Sequence, residues 1–428
     1  MNVEISKLSS GLTVVTDPMP QLESAAIGVW VDCGARHETA PVMGVSHMLE
    51  HMAFKGTERR SARAIAEEIE AVGGYLNAYT SREQTAYHAR VLKADVPLAV
   101  DLLADILTNS TFDPGELERE RQVVLQEIGQ ANDTPDDIVF DHLQSAAYPN
   151  QPMGWPILGS ENTVASFTRD DLRTYMASNY RAGGMTLIAS GAVRHDDIVA
   201  LATRHFGAIR PGSAPTSARA HYIGRDIRIS EELEQVHATY AFPGVTSASD
   251  DIYVAQIYVT ALGGGVSSRL FQEARERRGL CYSIYAFANV FSDDGLIGIY
   301  AGTGEAEAAE ISAVVAGEML AMSETVGDAE VARAKAQLKS GLLMGLERPA
   351  ARAEQIASQL HAYGRVLSIE ELTIRLDAVD KDSVRRFAER MMRSECPAMA
   401  AIGPIKRLES HASFAGRFGA GQARAAAE

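Results

Sequence analysis

The sequence ELERERQVVLQEIGQANDTP, residues 116–135, has a counterpart further along the chain. The counterpart is EVARAKAQLKSGLLMGLERP, residues 330–349, which repeats the charged helical pattern and the closing proline. Similarity at a fixed distance along a chain indicates an internal duplication. The sequence therefore predicts two homologous domains.

Two further segments repeat at a similar distance. FTRDDLR at residues 167–173 is matched by VDKDSVR at residues 379–385, and each offers an N-cap, Thr168 or Asp380, ahead of an amphipathic helix. Each helix leads into a short apolar run that ends in glycine and is typical of a closing strand, Met185–Gly191 and Ala398–Gly403.

Strand-like runs precede the long helices in both halves, at Ala25–Val31 and Thr85–Val91 in the first and at His237–Phe242 and Gly295–Ala301 in the second. This partial segregation of strands and helices favours an α+β fold over a doubly wound sheet. PGSAPTS at residues 211–217 has the composition of a linker. We predict an N-terminal domain over 1–210, a linker over 211–224, a C-terminal domain over 225–415 and a flexible tail over 416–428.

The composition is that of an ordinary globular protein, with 46% hydrophobic and 22% charged residues. Forty basic and 56 acidic side chains give a net charge of −16, which disfavours binding to the backbone of nucleic acids. We find no apolar run of about 18 residues and expect no membrane span. Cys33, Cys281 and Cys396 are far apart and odd in number, and we see no secretory signal, so we expect a reducing, cytoplasmic location.

The stretch GVSHMLEHM, residues 44–52, carries the pattern His-x-x-Glu-His, the inverse of the His-Glu-x-x-His zinc motif. On a helix, His47 and His51 lie about 40° apart and can bind one metal ion. Glu50 lies about 100° from His51, so its carboxylate can reach a metal-bound water without becoming a ligand. Two imidazoles and a carboxylate form the open donor set of catalytic zinc, on which a bound water has a pKa of about 7.

The motif supplies two ligands, and a third must come from elsewhere in the chain. A helix predicted to start at Asp113-Pro114 carries Glu120 and Glu127 on one stripe. Glutamates in such positions are also typical of a solvated helix face. The residues alone leave several candidates for the third ligand: Glu83, His88, Glu120, Glu127 and Asp133.

The motif from His47 to His51 is followed by Glu127 within ERQVVLQEI, residues 120–128, and this arrangement resembles the pitrilysin-type zinc metallopeptidases. The resemblance is closest to the branch that contains mitochondrial processing peptidase and its bacterial relatives, and it covers Ser10 to about Gly403. It implies that each half is an α+β half-ring, that the half-rings close into a chamber, and that the chain forms a dimer.

The resemblance also implies roles for individual residues of the first half. His47, His51 and Glu127 would be the ligands of one Zn²⁺ per chain. Glu50 would be the general base, and Glu120 would orient a ligand histidine from outside the ligand set.

The second half is expected to act on the substrate rather than on the metal. It has Ala334 and Gly341 at the positions of the two helix glutamates, and it lacks the His-x-x-Glu-His pattern. Its segment SSRLFQEARERRGLCY, residues 267–282, resembles the substrate-clamping segment of the family. By this resemblance, Arg275 and Tyr282 would reach the bound peptide and its developing oxyanion.

GGYLNAYTS, residues 73–81, is similar to the family segment that forms an edge strand for the substrate. The substrate would add beside Asn77 and Ala78 through main-chain hydrogen bonds. Phe54 and Tyr79 match family positions near the pocket for the residue after the cut.

The segment NQPMGWPILG, residues 150–159, departs from the family pattern. Trp155 stands where relatives more often carry arginine, and Asn150-Gln151 replaces a frequent His-Pro pair. These changes leave the metal set intact and concern substrate preference.

The leading hypothesis is a zinc endopeptidase that cuts unfolded or presequence-like peptides. A catalytically silent structural subunit is the alternative, and the intact metal set argues against it. A maturation factor for one dedicated peptide stays open. Because one chain carries both the metal set and the Arg-Tyr pair, we expect a homodimer, with a heterodimer containing a related subunit as the other arrangement.

Overall fold

The apolar runs predicted as strands belong to two mixed β-sheets. The computed structural model describes residues 2–394 and 396–419. The first sheet has six strands: β1 Glu4–Lys7, β2 Thr13–Pro18, β3 Ser24–Val31, β4 Tyr75–Thr80, β5 Thr85–Leu92 and β6 Met185–Gly191. The second sheet has five: β7 Asp226–Ser230, β8 Val236–Pro243, β9 Cys281–Val290, β10 Gly295–Thr303 and β11 Ala398–Gly403. All six predicted strands are therefore confirmed.

The strand orders show the duplication. The first sheet runs β1-β2-β6-β3-β5-β4, and the second runs β7-β11-β8-β10-β9. Without β1, the two orders correspond strand for strand. The parallel pairs also correspond, since β2 pairs with β6 as β7 pairs with β11, and the remaining pairs within these corresponding orders are antiparallel.

The first sheet is covered on both faces. Successive side chains of a strand point to opposite faces, yet Val14 and its neighbour Val15 are both buried, as are Val29 and Trp30. Val14 and Val29 belong to the main core of this unit, whereas Val15 and Trp30 belong to a second apolar cluster. Continuous apolar strands rather than alternating ones are the sequence signature of such a sheet.

The helices occupy two compact units of the chain. Unit 1 comprises the described residues of Met1–Gln130, Trp155–Ala218 and Leu343–Ser368, and unit 2 those of Ala131–Gly154, Arg219–Leu342 and Ile369–Glu428. The helices that lie mainly in unit 1 are α1 Val45–Ala53, α2 Ala62–Ala71, α3 Val96–Thr108, α4 Pro114–Asn132, α6 Glu161–Ser166, α7 Arg169–Asn179, α8 His195–Phe206 and α12 Pro349–Tyr363. Those mainly in unit 2 are α5 Pro135–Ala147, α9 Ile252–Gly263, α10 Ala308–Thr325, α11 Asp328–Gly345, α13 Ile369–Ala378, α14 Lys381–Ser394 and α15 His411–Gly416.

The two compact units differ from the contiguous halves that the sequence predicts, because each half gives one helix to the other unit. Helix α5 follows α4 but packs on β8 and β11 of the second sheet. Its duplicate α12 follows α11 but packs on β3 and β6 of the first sheet. Thus residues 131–154 lie outside unit 1 although the predicted N-terminal domain includes them, and residues 343–368 lie in unit 1 although the predicted C-terminal domain includes them.

Apolar burial explains the position of each exchanged helix. Ala353, Ile356 and Ala357 of α12 complete the cluster that covers Trp30. In unit 2, Val139, Leu143 and Ala146 of α5 pack in a cluster with β-strand residues such as Ala400. A strand face of this kind needs a helix to exclude water, and the exchanged helices provide it.

The described helices include none whose length and apolar character would let it cross a membrane. The predicted flexible tail begins at 416, where α15 ends, and residues 420–428 lie outside the described part of the chain.

Candidate metal centre

Helix α1 starts at a glycine that the backbone requires. Gly44 has φ of +91°, a left-handed conformation that favours glycine. A Cβ at this position would lie 2.7 Å from the Cα of Gly159. The start of α1 is therefore held against the backbone of the loop that contains Gly159.

The amphipathic pattern of α1 directs the motif side chains out of the core. Its buried face is formed by Met48, Leu49 and Met52, which are almost fully inaccessible to solvent. Its partly exposed face is formed by His47, Glu50 and His51. The apolar residues fix the helix rotation, and the polar face then presents both imidazoles together.

Helix α4 brings the two glutamates to α1. It begins as predicted, because the Asp113 Oδ1 accepts hydrogen bonds from the backbone N–H groups of Gly115, at 2.8 Å, and Glu116, at 3.1 Å. Glu120, two turns before Glu127, is only 6% exposed, whereas Glu127 is partly exposed.

Three side chains converge at the polar face of α1. The Oε2 atom of Glu127 lies 3.7 Å from Nε2 of His47 and 3.5 Å from Nε2 of His51. These separations are long for hydrogen bonds, but they suit atoms that each bind one tetrahedral zinc ion at about 2.0–2.2 Å. Within residues 2–394 and 396–419, these three side chains form the one group of this kind that could hold a metal.

Both imidazoles are suited to bind a metal, but their surroundings differ. Burial lowers the pKa of His47 to about 4, with a further contribution from neighbouring His51, so His47 is neutral at pH 7 and its lone pair is available. Its Nδ1 atom is buried and finds no hydrogen-bond partner in the described part of the chain. The donor set of two imidazoles and one carboxylate fits zinc.

The tautomer of His51 is set by its neighbours. Nδ1 of His51 donates to Oε2 of Glu120 at 3.0 Å, which leaves Nε2 free to bind a metal. The other oxygen of Glu120 lies 2.7 Å from Nζ of Lys55. Lys55 lies two residues beyond the end of α1, and it holds the same buried carboxylate as His51 does.

Glu50 stands beside the converging ligands without joining them. Its Oε2 atom accepts a hydrogen bond of 2.6 Å from the hydroxyl of Thr80. Burial raises the pKa of Glu50, while the Thr80 hydrogen bond opposes that rise. A carboxylate with a raised pKa next to a metal-ligand set is suited to take up and return a proton.

Strand β4 carries Asn77 and Ala78 and is the edge of the first sheet, paired with β5 alone in that sheet. Its outer side therefore offers main-chain donors and acceptors. The same strand ends at Thr80, which contacts Glu50, so the free edge leads directly to the metal centre.

Tyr79 and Phe54 lie against different faces of the first sheet, so the structure does not bring them together at one pocket as predicted. The Tyr79 hydroxyl donates to Oε1 of Glu354 on α12 at 2.5 Å and accepts from the indole N–H of Trp30 at 3.2 Å. Phe54 follows α1 and packs against Tyr87, with ring centroids 6.3 Å apart. Tyr79 therefore joins the edge strand to α12, and Phe54 joins the end of α1 to β5.

In unit 2, Arg275 and Tyr282 lie together. The Arg275 guanidinium sits 5.0 Å from the ring centroid of Tyr282 and 4.6 Å from that of Phe271. The segment Phe271–Arg277 is a π-helix, a form frequent at functional sites. Tyr282 is 76% exposed, so its hydroxyl is open to a ligand.

The structure separates Glu127 from the other candidates for the third ligand. Glu83 is paired with Arg36 at 2.7 Å, and the ring of His88 lies near those of Tyr75 and Tyr79. Glu120 accepts from Nδ1 of His51, on the side of the ring away from Nε2. Asp133 belongs to unit 2 and is not part of the converging group.

Sequence reasoning missed the side chains that hold the site residues, namely Thr80, Lys55 and Glu354. Lys55 lies four residues after His51, but α1 ends at Ala53, so helical spacing could not have placed it beside His51. Thr80 lies within the quoted segment around Asn77 but looks like an ordinary strand residue. Glu354 could not be found, since it comes from the exchanged helix.

The unusual residues of segment 150–159 have structural partners. The Gln151 amide donates to the carbonyl of His221 at 2.7 Å and accepts from its N–H at 2.8 Å. Asn150 has φ of +59°, which asparagine tolerates better than most residues. These contacts explain Asn150-Gln151 within unit 2, and nothing in the structure explains Trp155.

A duplicated α+β fold with two histidines and a glutamate converging beside a second glutamate defines a metallopeptidase type of centre. Comparison with known families agrees. Residues 13–161 match the family described as insulinase (peptidase family M16), and residues 166–338 match the M16 inactive domain. The chain belongs to the M16 peptidase family, which confirms the resemblance to pitrilysin-type metallopeptidases.

Relatives of similar length support this membership. A protein of Rickettsia felis named an uncharacterized zinc protease is 39% identical over 404 residues, which cover 94% of this chain and 98% of the relative. The beta subunit of the mitochondrial-processing peptidase of Lentinula edodes is 38% identical over 425 residues, covering 95% of this chain and 91% of the relative. YmxG of Bacillus subtilis, also named an uncharacterized zinc protease, is 36% identical over 403 residues, covering 94% and 98%.

Two solved structures share the fold. A protease from Helicobacter pylori matches with a TM-score of 0.87 at 20% identity, over 94% of this chain and 99% of that one. A chain of complex III2 from Candida albicans matches with a TM-score of 0.86 at 21% identity, over 97% and 99%. One fold thus occurs in a protease and in a chain of complex III2, so the site rather than the fold must indicate the activity.

Proposed function

We propose that this chain is a zinc-dependent endopeptidase that hydrolyses unfolded or presequence-like peptides. The observation that carries the proposal is the convergence of His47, His51 and Glu127 beside Glu50. The names of the relatives, zinc protease and processing-peptidase subunit, support it. A silent subunit would have no need of a complete ligand set.

The proposed chemistry is general-base hydrolysis of a peptide bond. Zinc, when bound, supplies a Lewis acid that lowers the pKa of a water molecule. Glu50 takes a proton from the attacking water and returns it to the leaving amine. Thr80 holds one oxygen of Glu50, so that the other is directed to the reaction.

The peptide is held by the edge of the first sheet. An extended segment adds beside Asn77 and Ala78 through main-chain hydrogen bonds, which a folded protein has already made within itself. Phe54 lines the region for the residue after the cut, and Tyr79, on the other face of the sheet, holds the edge strand through Glu354. Arg275 and Tyr282 of unit 2 bind the peptide and stabilise the developing oxyanion.

For the assembly, we propose a homodimer whose half-ring domains enclose a chamber, since one chain carries both the metal set and the Arg-Tyr pair. A heterodimer with a related subunit is the other arrangement, and the beta-subunit relatives give it support. We also propose a reducing, cytoplasmic location, because Cys33, Cys281 and Cys396 are all unpaired.

Metal analysis combined with peptide digestion tests the proposed function. The full chain should contain one zinc ion and cut an unstructured basic peptide, and a chelator should abolish the cleavage. A stably folded globular protein should resist. Glu127→Ala should lose both zinc and activity, because it removes a ligand.

Glu118→Gln is the matched control, since Glu118 is an exposed glutamate on the same helix. Parent-like zinc content in Glu127→Ala would remove Glu127 from the ligand set. Zinc-loaded protein without activity on any unstructured peptide would reject the peptidase assignment.

A further inference from the structure

Glu38 is a buried carboxylate with no part in the chemistry described so far. It is only 4% exposed and lies seven residues before the start of α1. Burial raises its pKa to about 7, while hydrogen bonds from Gly44 and Ser46 oppose that rise. A carboxylate is costly to bury unless its oxygens accept hydrogen bonds. The partners of these oxygens therefore indicate what the side chain does.

Both oxygens of Glu38 accept hydrogen bonds from the start of the metal helix. Oε2 accepts from the N–H of Gly44 at 2.7 Å, and Oε1 accepts from the N–H of Ser46 at 2.8 Å. The first N–H groups of a helix have no partner within the helix, and Gly44, the N-cap, has no side chain to offer one. Glu38 therefore serves as the cap of α1 from outside the helix, where a negative charge is also favoured.

The buried side chains around Ser46 extend this attachment. The Ser46 hydroxyl lies 2.7 Å from the hydroxyl of Tyr175, which lies 3.1 Å from Sγ of Cys33. Helix α1 has nine residues, a length at which an isolated helix is marginal in water. The position of α1 thus depends on the contacts at its two ends. Glu38 holds the N-terminal end, next to His47.

His47 directly follows Ser46, so a shift at Ser46 displaces the ligand. Functional constellations tolerate errors of only about 0.5 Å. We propose that Glu38 is a positioning residue, which sets the place of His47 and Glu50 by fixing the first turn of α1. The inference rests on the proposed function only for the metal-ligand role of His47 and His51.

The variant Glu38→Gln tests the inference in the full chain. An amide has one acceptor oxygen and presents its N–H₂ to the second helix N–H, so one of the two contacts becomes repulsive. The matched control is Ser61→Ala, which removes the side-chain cap of α2, where Ser61 accepts from the N–H of Ala64 at 3.1 Å. Helix α2 carries none of the metal ligands.

Three quantities are measured for each protein: the melting temperature without metal, the dissociation constant for zinc, and kcat on an unstructured peptide at saturating zinc. We expect both variants to melt below the parent, because each loses a cap. Only Glu38→Gln should bind zinc more weakly, by about tenfold or more, and lose kcat at saturating zinc, since a small misplacement of catalytic groups is expensive.

A zinc dissociation constant within about twofold of the parent in Glu38→Gln would overturn the positioning role and leave a cap that serves stability only. If that variant fails to fold, Glu38→Asp replaces it, because the shorter side chain keeps the charge but cannot reach both N–H groups, and the same criterion applies. The zinc measurement uses no peptide. A protein that binds zinc in this pattern but cleaves nothing would thus reject the proposed function and retain this inference.

Discussion

His51 is held in place by a short chain of polar contacts within the protein. Its Nδ1–H donates a hydrogen bond to Glu120, and Glu120 forms an ion pair with Lys55. Each oxygen of this carboxylate therefore accepts from a different donor. The arrangement needs two acceptor atoms, and only a carboxylate supplies them in this space.

Glu120→Gln should weaken zinc binding by about 10- to 100-fold, the range typical for partners of ligand histidines. An amide offers one acceptor, so the contact with either His51 or Lys55 becomes unfavourable. Competition against a chelator of known affinity gives the dissociation constant. Glu118→Gln serves as the control on the same helix, and equal zinc affinity in the two variants would contradict the role of Glu120.

Glu50→Gln should retain zinc and peptide binding but lose most of kcat, by about 10²-fold or more, because the amide keeps the Thr80 contact but cannot take up a proton. Steady-state kinetics at saturating zinc give kcat, and elemental analysis gives the metal content. A kcat close to the parent value would eliminate Glu50 as the general base.

At the scale of single residues, the candidate ligands and the general base could be predicted, but the side chains that hold them in place could not. His47, His51 and Glu50 follow from a motif within one helix, where spacing translates directly into geometry. Glu127 follows only from the family resemblance, because the pairing of α1 with α4 is a tertiary contact. Glu38 and Thr80 come from separate loops and strands, and their contacts depend on packing that no local pattern encodes.

Helix α12 is held to the first sheet by polar contacts as well as by apolar packing. His361 lies 3.0 Å from Asp32 through Nδ1 and 3.4 Å from Glu83 through Nε2. Arg352 lies 2.7 Å from the fully buried Asp17. Together with the contact between Tyr79 and Glu354, these pairs fix the helix along its length.

His361 should make the stability depend on pH. Its two carboxylate neighbours raise its pKa to about 9 despite the opposing effect of burial. Because the folded pKa exceeds the unfolded value of about 6.5, the stabilisation is complete below pH 6.5 and is lost as the pH rises through 9. At about 1.4 kcal/mol per pKa unit, this pKa difference corresponds to about 3 kcal/mol of stability.

Urea unfolding of His361→Gln and of the parent between pH 6 and pH 10 measures this effect. The difference in the free energy of unfolding should be largest near pH 6 and should shrink toward pH 10. His221→Gln, at an exposed histidine, is the control. A difference that does not vary with pH would show that His361 contributes by packing alone.

The elements themselves could be predicted better than their partners. The periodicity and caps predict α4, α7 and α14, and the structure confirms their starts at Pro114, Arg169 and Lys381. The exchange of α5 and α12 could not be predicted. Both helices bury an apolar face, and the two sheets share one strand order, so local sequence does not say which sheet a helix covers.

For the whole molecule, the proposed role of unit 2 depends on Tyr282. Tyr282→Phe should lower kcat by about 10²-fold with unchanged zinc content, if the hydroxyl is a principal donor to the oxyanion. Tyr285→Phe, in the same strand, is the matched control because it also removes one phenol hydroxyl. Equal activity in the two variants would argue that Tyr282 is an exposed surface residue without a catalytic role.

The exchanged helix α12 also sets an order of events during synthesis. The strands of the first sheet are complete once Gly191 has been made, but the helix that covers Trp30 and Val15 begins only at Pro349, more than 150 residues later. At roughly 5–20 residues per second, the ribosome takes on the order of ten seconds or more to produce it. Throughout that interval the nascent chain presents an uncovered apolar sheet face, which is the kind of surface that holding chaperones bind and through which neighbouring unfinished chains aggregate.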